Sequence, residues 1–320
     1  MTSVQLADVT LATGNASLTP ELGGYYLDLS GALPLVETGW HGPLDAAGVP
    51  FSSGAQGDFY NAITIAQYAL ALQDALLSAP QNAEKTAELE RKLRTQMEFL
   101  LTIIEQEGEY RGFFVHRWDN PKYRELRAPW VSALSQGNML SALLRAYQSW
   151  GDERFLEQAH LVFAALERPL SEGGTRFVDA SGDTWFEEYP MNPPSHVLNG
   201  FIFALWGILD YARVTNDPQA WEWWQSGLAT LKRRLPDYDC GYWSVYDLKF
   251  REPASLYYQN NIHVLQMRAL YELTQEPIFD RYARRWAKFG TSRFYRALWW
   301  IGVRVQARFQ SLRGKPIGAH

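Results

Sequence analysis

The sequence predicts a mainly α-helical protein: an (α/α) toroid of paired antiparallel helices, with short β-hairpins at one end and a short irregular or β-rich N-terminal segment. Two observations carry that expectation. Long segments place apolar residues at three- and four-residue spacing with few breakers inside them. Between successive helix pairs lie short aromatic or β-branched segments with Gly-rich turns. Taken in order, 60–79 and 83–105 are the first helix pair, separated at Pro80. Further helices are predicted near 131–149, 152–166, 196–214, 218–234, 258–274 and 277–289. The segments 25–29, 109–118, 174–186 and 240–249 read as hairpins or extended loops. Residues 1–50 are expected to pack on a body formed by 51–290, followed by a basic amphipathic helix over 291–320.

Composition narrows the class. A chain of 320 residues, 47% hydrophobic with a mean hydropathy of −0.28, has ample material for a core and suggests neither disorder nor a membrane span. One cysteine, Cys240, excludes an internal disulfide and fits a reducing compartment. Met1–Gln5 does not show the basic-then-apolar pattern of a signal peptide, so the expected location is cytoplasmic, with contact at the inner face of a membrane left open. From residue 281 onward there are ten Lys/Arg and no Asp/Glu, which leaves 20 basic against 35 acidic residues over 1–280, a net of −15. An acidic body argues against a nucleic-acid partner. No G-x-G-x-x-G unit, P-loop or His/Cys cluster at ligand spacing occurs, so neither a metal nor another cofactor is expected. Of the thirteen tryptophans most are expected to fill the core, with Trp221, Trp223 and Trp224 packing a helix.

Residues 185–200 are where chemistry is expected. They join the adjacent carboxylates Glu187 and Glu188 to aromatic residues, three prolines and the start of a long apolar helix. The prolines forbid a continuous helix, and Ser195 is a suitable N-cap for the helix that follows. The run Trp185-Phe186-Glu187-Glu188-Tyr189-Pro190, then Pro194-Ser195 and Val197-Leu198-Asn199-Gly200-Phe201, resembles the C-terminal catalytic region of the D-glucuronyl C5-epimerases. Similar blocks recur in order: Gly48-Val49-Pro50, Gln56-Gly57-Asp58-Phe59-Tyr60, Ile65-Ala66-Gln67-Tyr68, Pro129-Trp130 through Gln136-Gly137, Leu144-Arg145-Ala146-Tyr147, Leu235-Pro236-Asp237-Tyr238-Asp239 and Tyr246-Asp247-Leu248. The resemblance covers roughly residues 20–289 and implies the toroid and an acidic polysaccharide substrate. It also implies inversion of C5 in glucuronate residues of a heparosan-type chain to give iduronate.

That reaction removes a proton α to a carboxylate, so it needs a base on one face of the sugar, an acid on the other, and neutralisation of the uronate. By motif, the resemblance makes Glu188 the candidate base, with Tyr189 beside it. Tyr246, aided by a second tyrosine, is the candidate acid. Were 187–189 a regular strand, Glu187 and Tyr189 would share a face and Glu188 would point away, so Glu187 stays as the alternate. Lys249 stands where better-known relatives carry Arg. It is either the uronate's counter-charge or a solvated hairpin lysine. Asn199 and Gln136 are candidates for bonding sugar or for capping backbone, and Trp130 and Trp185 for lining a cleft. One departure stands out. Relatives place a tyrosine four residues before a histidine, whereas here Gln259 holds that place before His263 and Tyr258 is one residue early. In a helix one residue is a rotation of about 100°, which only a local bulge would undo. His263 and His196 are the residue type more often buried and hydrogen-bonded than catalytic. Three other classes fit the same pattern: a lyase, a hydrolase using two carboxylates, and a uronan-binding protein.

In the tail, Phe294, Leu298, Ile301, Val305, Phe309 and Leu312 make one apolar stripe beside Arg296, Arg304, Arg308 and Arg313, with Trp299 and Trp300 alongside. The stripe over 291–313 is expected either to lie on anionic lipid or to pack on the body or a second subunit.

Overall fold

The computed structural model describes residues 11–39, 42–54, 57–78 and 82–312, with side chains as far as 305. Gln56 of the motif blocks, Pro80, Arg313 and the side chains of Arg308, Phe309 and Leu312 lie outside the described residues. The chain runs β1 (Ala12–Thr13), β2 (Leu27–Asp28), α1 (Leu33–Glu37), β3 (Ser52–Gly54), β4 (Gly57–Phe59), α2 (Ala62–Ser78), α3 (Ala83–Thr102), α4 (Ala133–Trp150) and α5 (Glu153–Leu166). It continues with β5 (Arg176–Val178), β6 (Thr184–Phe186), α6 (Leu198–Thr215), α7 (Pro218–Arg234), α8 (Val264–Thr274), α9 (Pro277–Thr291) and α10 (Arg293–Leu312). The fold is mainly α, and its sheets are antiparallel two-stranded pairs: β1 with β2, β3 with β4, β5 with β6.

Local chemistry sets the helix limits close to where the periodicity puts them. Asn82, Asp152 and Asp217 each accept a backbone N–H of the first turn, of α3, α5 and α7 respectively, and Pro218 opens α7 where a missing N–H costs nothing. Gly151, Asn216 and Gln275 end α4, α6 and α8 in the left-handed conformation. Two of the segments read as hairpins or extended loops are the latter. Residues 109–118 and 240–249 form no ladder, only isolated bridges such as His116 with Trp130 and Val245 with Pro253.

The helices α2, α4 and α6 pack side by side, and α3, α5 and α7 back them in turn, while α8 is backed by α9. β1 and β2 lie on α8, and the 3-10 turn Ser30–Ala32 lies on α2. The α4–α6 contact is closest at Gly137 and Gly207. A Cβ at Gly207 would meet the Gly137 carbonyl oxygen at 2.4 Å, and one at Gly137 would meet that of Phe203 at 2.4 Å. Because the two backbones touch, the ends of these helices are held at fixed separation, and the candidate residues Gln136 and Asn199 stand in their first turns. No described helix is long and apolar enough to cross a membrane.

Candidate active site

The β5–β6 hairpin delivers the acidic pair. Its ladder stops at Phe186, and the chain bends at Glu188 and Tyr189, so strand alternation does not govern which way these side chains face. Glu187 is wholly internal. Its carboxylate accepts from the Ser195 backbone N–H (3.2 Å), the Ser195 hydroxyl (3.2 Å) and the His196 N–H (2.9 Å), and meets His196 Nδ1 at 2.6 Å. Ser195 therefore does not cap the next helix. Val197 is the N-cap of α6, and the Leu198 N–H finds the Tyr246 carbonyl at 3.1 Å. Glu187 is a brace for the loop, with both oxygens occupied.

Glu188 turns the other way, onto the first turn of α6. Gly200 makes the space: a Cβ there would lie 2.2 Å from Glu188 Oε2. The Tyr246 hydroxyl donates to Oε1 at 3.3 Å, while Oε2 is buried with no partner among the described residues. Burial pushes the Glu188 carboxyl up to about 7, against the opposing pull of the Tyr189 hydroxyl, the Lys122 charge and the Tyr246 hydroxyl. Tyr189 is half-buried, its ring tilted against Tyr123 (4.5 Å) and Trp130 (5.8 Å). Burial first, then the Glu188 charge, holds the phenols of Tyr189, Tyr246 and Tyr258 above their usual range, so all three are protonated at neutral pH.

The displaced tyrosine is accommodated by a π-helical turn, Tyr258–His263, ahead of α8. A π-turn holds one residue more than an α-turn and supplies the bulge that the shifted spacing demands. Tyr258 meets the Tyr246 ring edge-on at 5.4 Å. Gln259 points the opposite way, accepting from the Ser244 N–H (3.2 Å) and hydroxyl (2.5 Å) and donating to the Trp286 carbonyl (2.9 Å). Gln259, at the histidine-spaced position, is structural, and Tyr258 joins the cluster. His263 Nδ1 lies 2.8 Å from the Ser244 hydroxyl; burial pushes the imidazole down to about 3, so it is neutral.

Around this cluster the remaining candidates divide. Gln136 is fully buried, accepting from the Phe114 N–H (3.1 Å) and donating to the Gly112 carbonyl (2.9 Å), which leaves it a strut between loop and helix. Trp185 is 1% exposed, packed on His196 and Phe201, and offers no face to a sugar. Asn199 is buried at the start of α6 with Oδ1 unpartnered among the described residues. Lys249 is paired with Glu125 at 2.9 Å and lies 3.8 Å from Met191 Sδ. Trp130 stacks on His116 at 3.8 Å, and with Pro190, Met191 and Asn192 it lines a cleft of about 260 Å³. A neighbouring cleft of about 450 Å³ shares Leu170 and Asn192 and continues past Arg176 and Phe177.

Sequence reasoning missed two residues. Lys122 holds its ammonium 3.9 Å from the Tyr246 ring centroid and 3.3 Å from Glu252, and its charge reaches both Glu188 and Asp247. Tyr123 donates to the buried Asp247 at 2.9 Å, fixing the loop that carries Lys122 against the Tyr246 turn. Nothing in the spacing of 119–127 announces either. Gly200 sits inside a motif block and could have been read as a space-maker.

Residues 106–288 match the protein family described as "D-glucuronyl C5-epimerase C-terminus". Over 174 residues, 53% of this chain and 56% of the relative, the chain is 36% identical to "Uncharacterized protein MJ1128" of Methanocaldococcus jannaschii. Over 203 residues it is 30% identical to a "D-glucuronyl C5-epimerase" of Caenorhabditis elegans, a match covering 58% of this chain and 33% of that protein. The matches thus span about half of one curated relative's length and a third of the other's.

Proposed function

The chain belongs to the D-glucuronyl C5-epimerase C-terminal family, and from that premise we propose that it inverts C5 of glucuronate residues in a heparosan-type polysaccharide, without a cofactor. The observation that carries the reading is Glu188: buried, pushed up to about 7, one oxygen without a hydrogen-bond partner among the described residues, and the other 3.3 Å from a protonated tyrosine. A carboxylate with a pKa near the working pH is a far better base toward carbon than one near ~4.3.

Glu188 takes the C5 proton and Tyr258 returns one from the opposite face. The closeness of Tyr246 to Glu188 argues against Tyr246 for that duty and leaves Tyr258. Two groups flanking a reacting carbon at about 3 Å each stand about 6 Å apart, whereas the Tyr246 hydroxyl is 3.3 Å from Glu188. Tyr246 therefore works on the Glu188 side, holding the carboxylate in line and passing its captured proton outward. Lys122 is the cation nearest this pair and opposes the charge that builds on the uronate as the proton leaves. Lys249, at the rim beside Met191, and the clefts along Trp130 and Arg176 hold the flanking sugars.

Incubation with heparosan in deuterated water, read by NMR and mass analysis, tests the reading. Deuterium at C5 with iduronate is the expected result. Tyr258→Phe should keep exchange and lose inversion, because Glu188 returns the label to the face it came from. Loss of both exchange and inversion in Tyr258→Phe, with inversion surviving Tyr246→Phe, would put Tyr258 on the abstracting side. An unsaturated uronate absorbing in the ultraviolet would make the protein a lyase instead.

A further inference from the structure

The tail helix α10 is docked by a face other than its apolar stripe. Tyr295 packs on Phe289 at 4.7 Å, and Trp299 stacks on Trp243 at 5.5 Å and donates to the Ala254 carbonyl at 2.9 Å. Gly302 sits where a Cβ would meet the Tyr242 hydroxyl at 2.3 Å. Residues 295, 299 and 302 follow helical spacing and define the buried side. The stripe read from sequence is rotated away from it: Phe294 is 66% exposed, Ile301 52% and Val305 47%, with Trp300 at 50%. Four of the seven large apolar side chains exposed among the described residues fall on this one helix; Phe294, Ile301 and Val305 share one side of it, and Trp300 lies about 120° round, among the arginines.

We propose that this face is the protein's seat on an anionic lipid surface. The charge pattern selects that occupant. Arg293, Arg296 and Arg304 are exposed on α10, Lys288 is exposed just before it, and the chain holds no Asp or Glu after residue 280. The guanidinium of Arg304 lies 3.3 Å from the Trp300 ring centroid, joining a cation to an amphipathic ring as helices at the headgroup level do. The acidic body would be repelled by such a bilayer, whereas this helix carries the right sign. A second copy fits less well, since its α10 would bring no Asp or Glu to pair with these arginines. The inference is independent of the epimerase reading.

Flotation of the full chain with vesicles of phosphatidylglycerol and phosphatidylcholine, against phosphatidylcholine alone, is the test. Binding to the mixed vesicles, at least tenfold weaker on the neutral ones, is expected. Phe294→Glu with Ile301→Glu should reduce it at least tenfold while the circular-dichroism melt is unchanged, and Arg296→Glu with Arg304→Glu should do so without touching apolar area. No flotation, equal binding to neutral vesicles, or binding indifferent to both double variants would overturn the proposal. So would sedimentation velocity showing a dimer that Ile301→Glu dissociates, which would make a second copy the occupant.

Discussion

Two ionic clusters are buried at opposite ends of the α4–α6 pair, and they are built on different principles. At the C-terminal end Asp210 accepts from Tyr26 (2.7 Å), Arg145 (2.6 Å) and Arg213 (3.3 Å). The same arginines donate to the carbonyls of Thr19, Glu21, Gly23 and Gly24, tying the N-terminal segment to both helices. At the N-terminal end Glu188 accepts one long hydrogen bond from Tyr246, and its Oε2 has no hydrogen-bond partner among the described residues. A buried charge whose partners are complete holds structure. A buried carboxylate left incomplete beside protonated tyrosines is poised to take a proton.

The largest expected effect breaks the complete cluster. Asp210→Asn leaves two buried arginines short of a charge and should cost about 3–5 kcal/mol in urea unfolding, with C5 exchange per folded molecule unchanged. A loss below about 1 kcal/mol would mean the cluster is not the clamp described.

Glu188→Gln should do the reverse. Exchange should fall by about 10²–10⁴-fold while stability at pH 8 rises. The folded-state value of about 7 lies above the ordinary ~4.3, so the folded protein holds this proton more tightly and loses stability as pH climbs between the two. The wild type should lose on the order of 3 kcal/mol over that window, and the Gln variant should not. Parallel pH–stability curves for the two proteins would remove the claim that Glu188 is the strained group.

Gly200→Ala is smaller and sharper, since its Cβ enters the space of Glu188 Oε2. Despite the better helix former, activity should drop about tenfold or more and stability by about 1–3 kcal/mol. The smallest effect is a midpoint shift in Lys122→Met, which should also slow exchange because the uronate loses its counter-charge. Its positive charge pulls the Glu188 value down, so its removal should move the midpoint of the pH–exchange profile upward. A midpoint that stays put would deny Lys122 its electrostatic reach.

Much of the helical frame was legible because helix formation is written in short-range periodicity. The predicted helices at 218–234 and 152–166 reappear as Pro218–Arg234 and Glu153–Leu166, N-capped by Asp217 and Asp152. The segments 109–118 and 240–249 were legible only as non-helical, because their bonding partners are distant. Tyr246, for one, lies 58 residues from Glu188 in sequence.

Through its resemblance to a family, the sequence pointed to Glu188, Tyr189 and Tyr246 as candidates for one site, although Tyr246 stands in a separate motif block. It also determined that the tail carries an apolar stripe and a charge bias. Tertiary structure decided which member of each neighbouring pair faces the candidate site. It chose Glu188 over Glu187 because the loop 195–196 claims both oxygens of Glu187. It chose Tyr258 over Gln259 because a π-turn re-aims the helix and Ser244 and Trp286 hold the glutamine. It brought in Lys122 through the Tyr123–Asp247 bond, and turned Gln136 and Trp185 inward. Adjacent residues differ only in direction, and direction is set by packing between segments far apart in the chain.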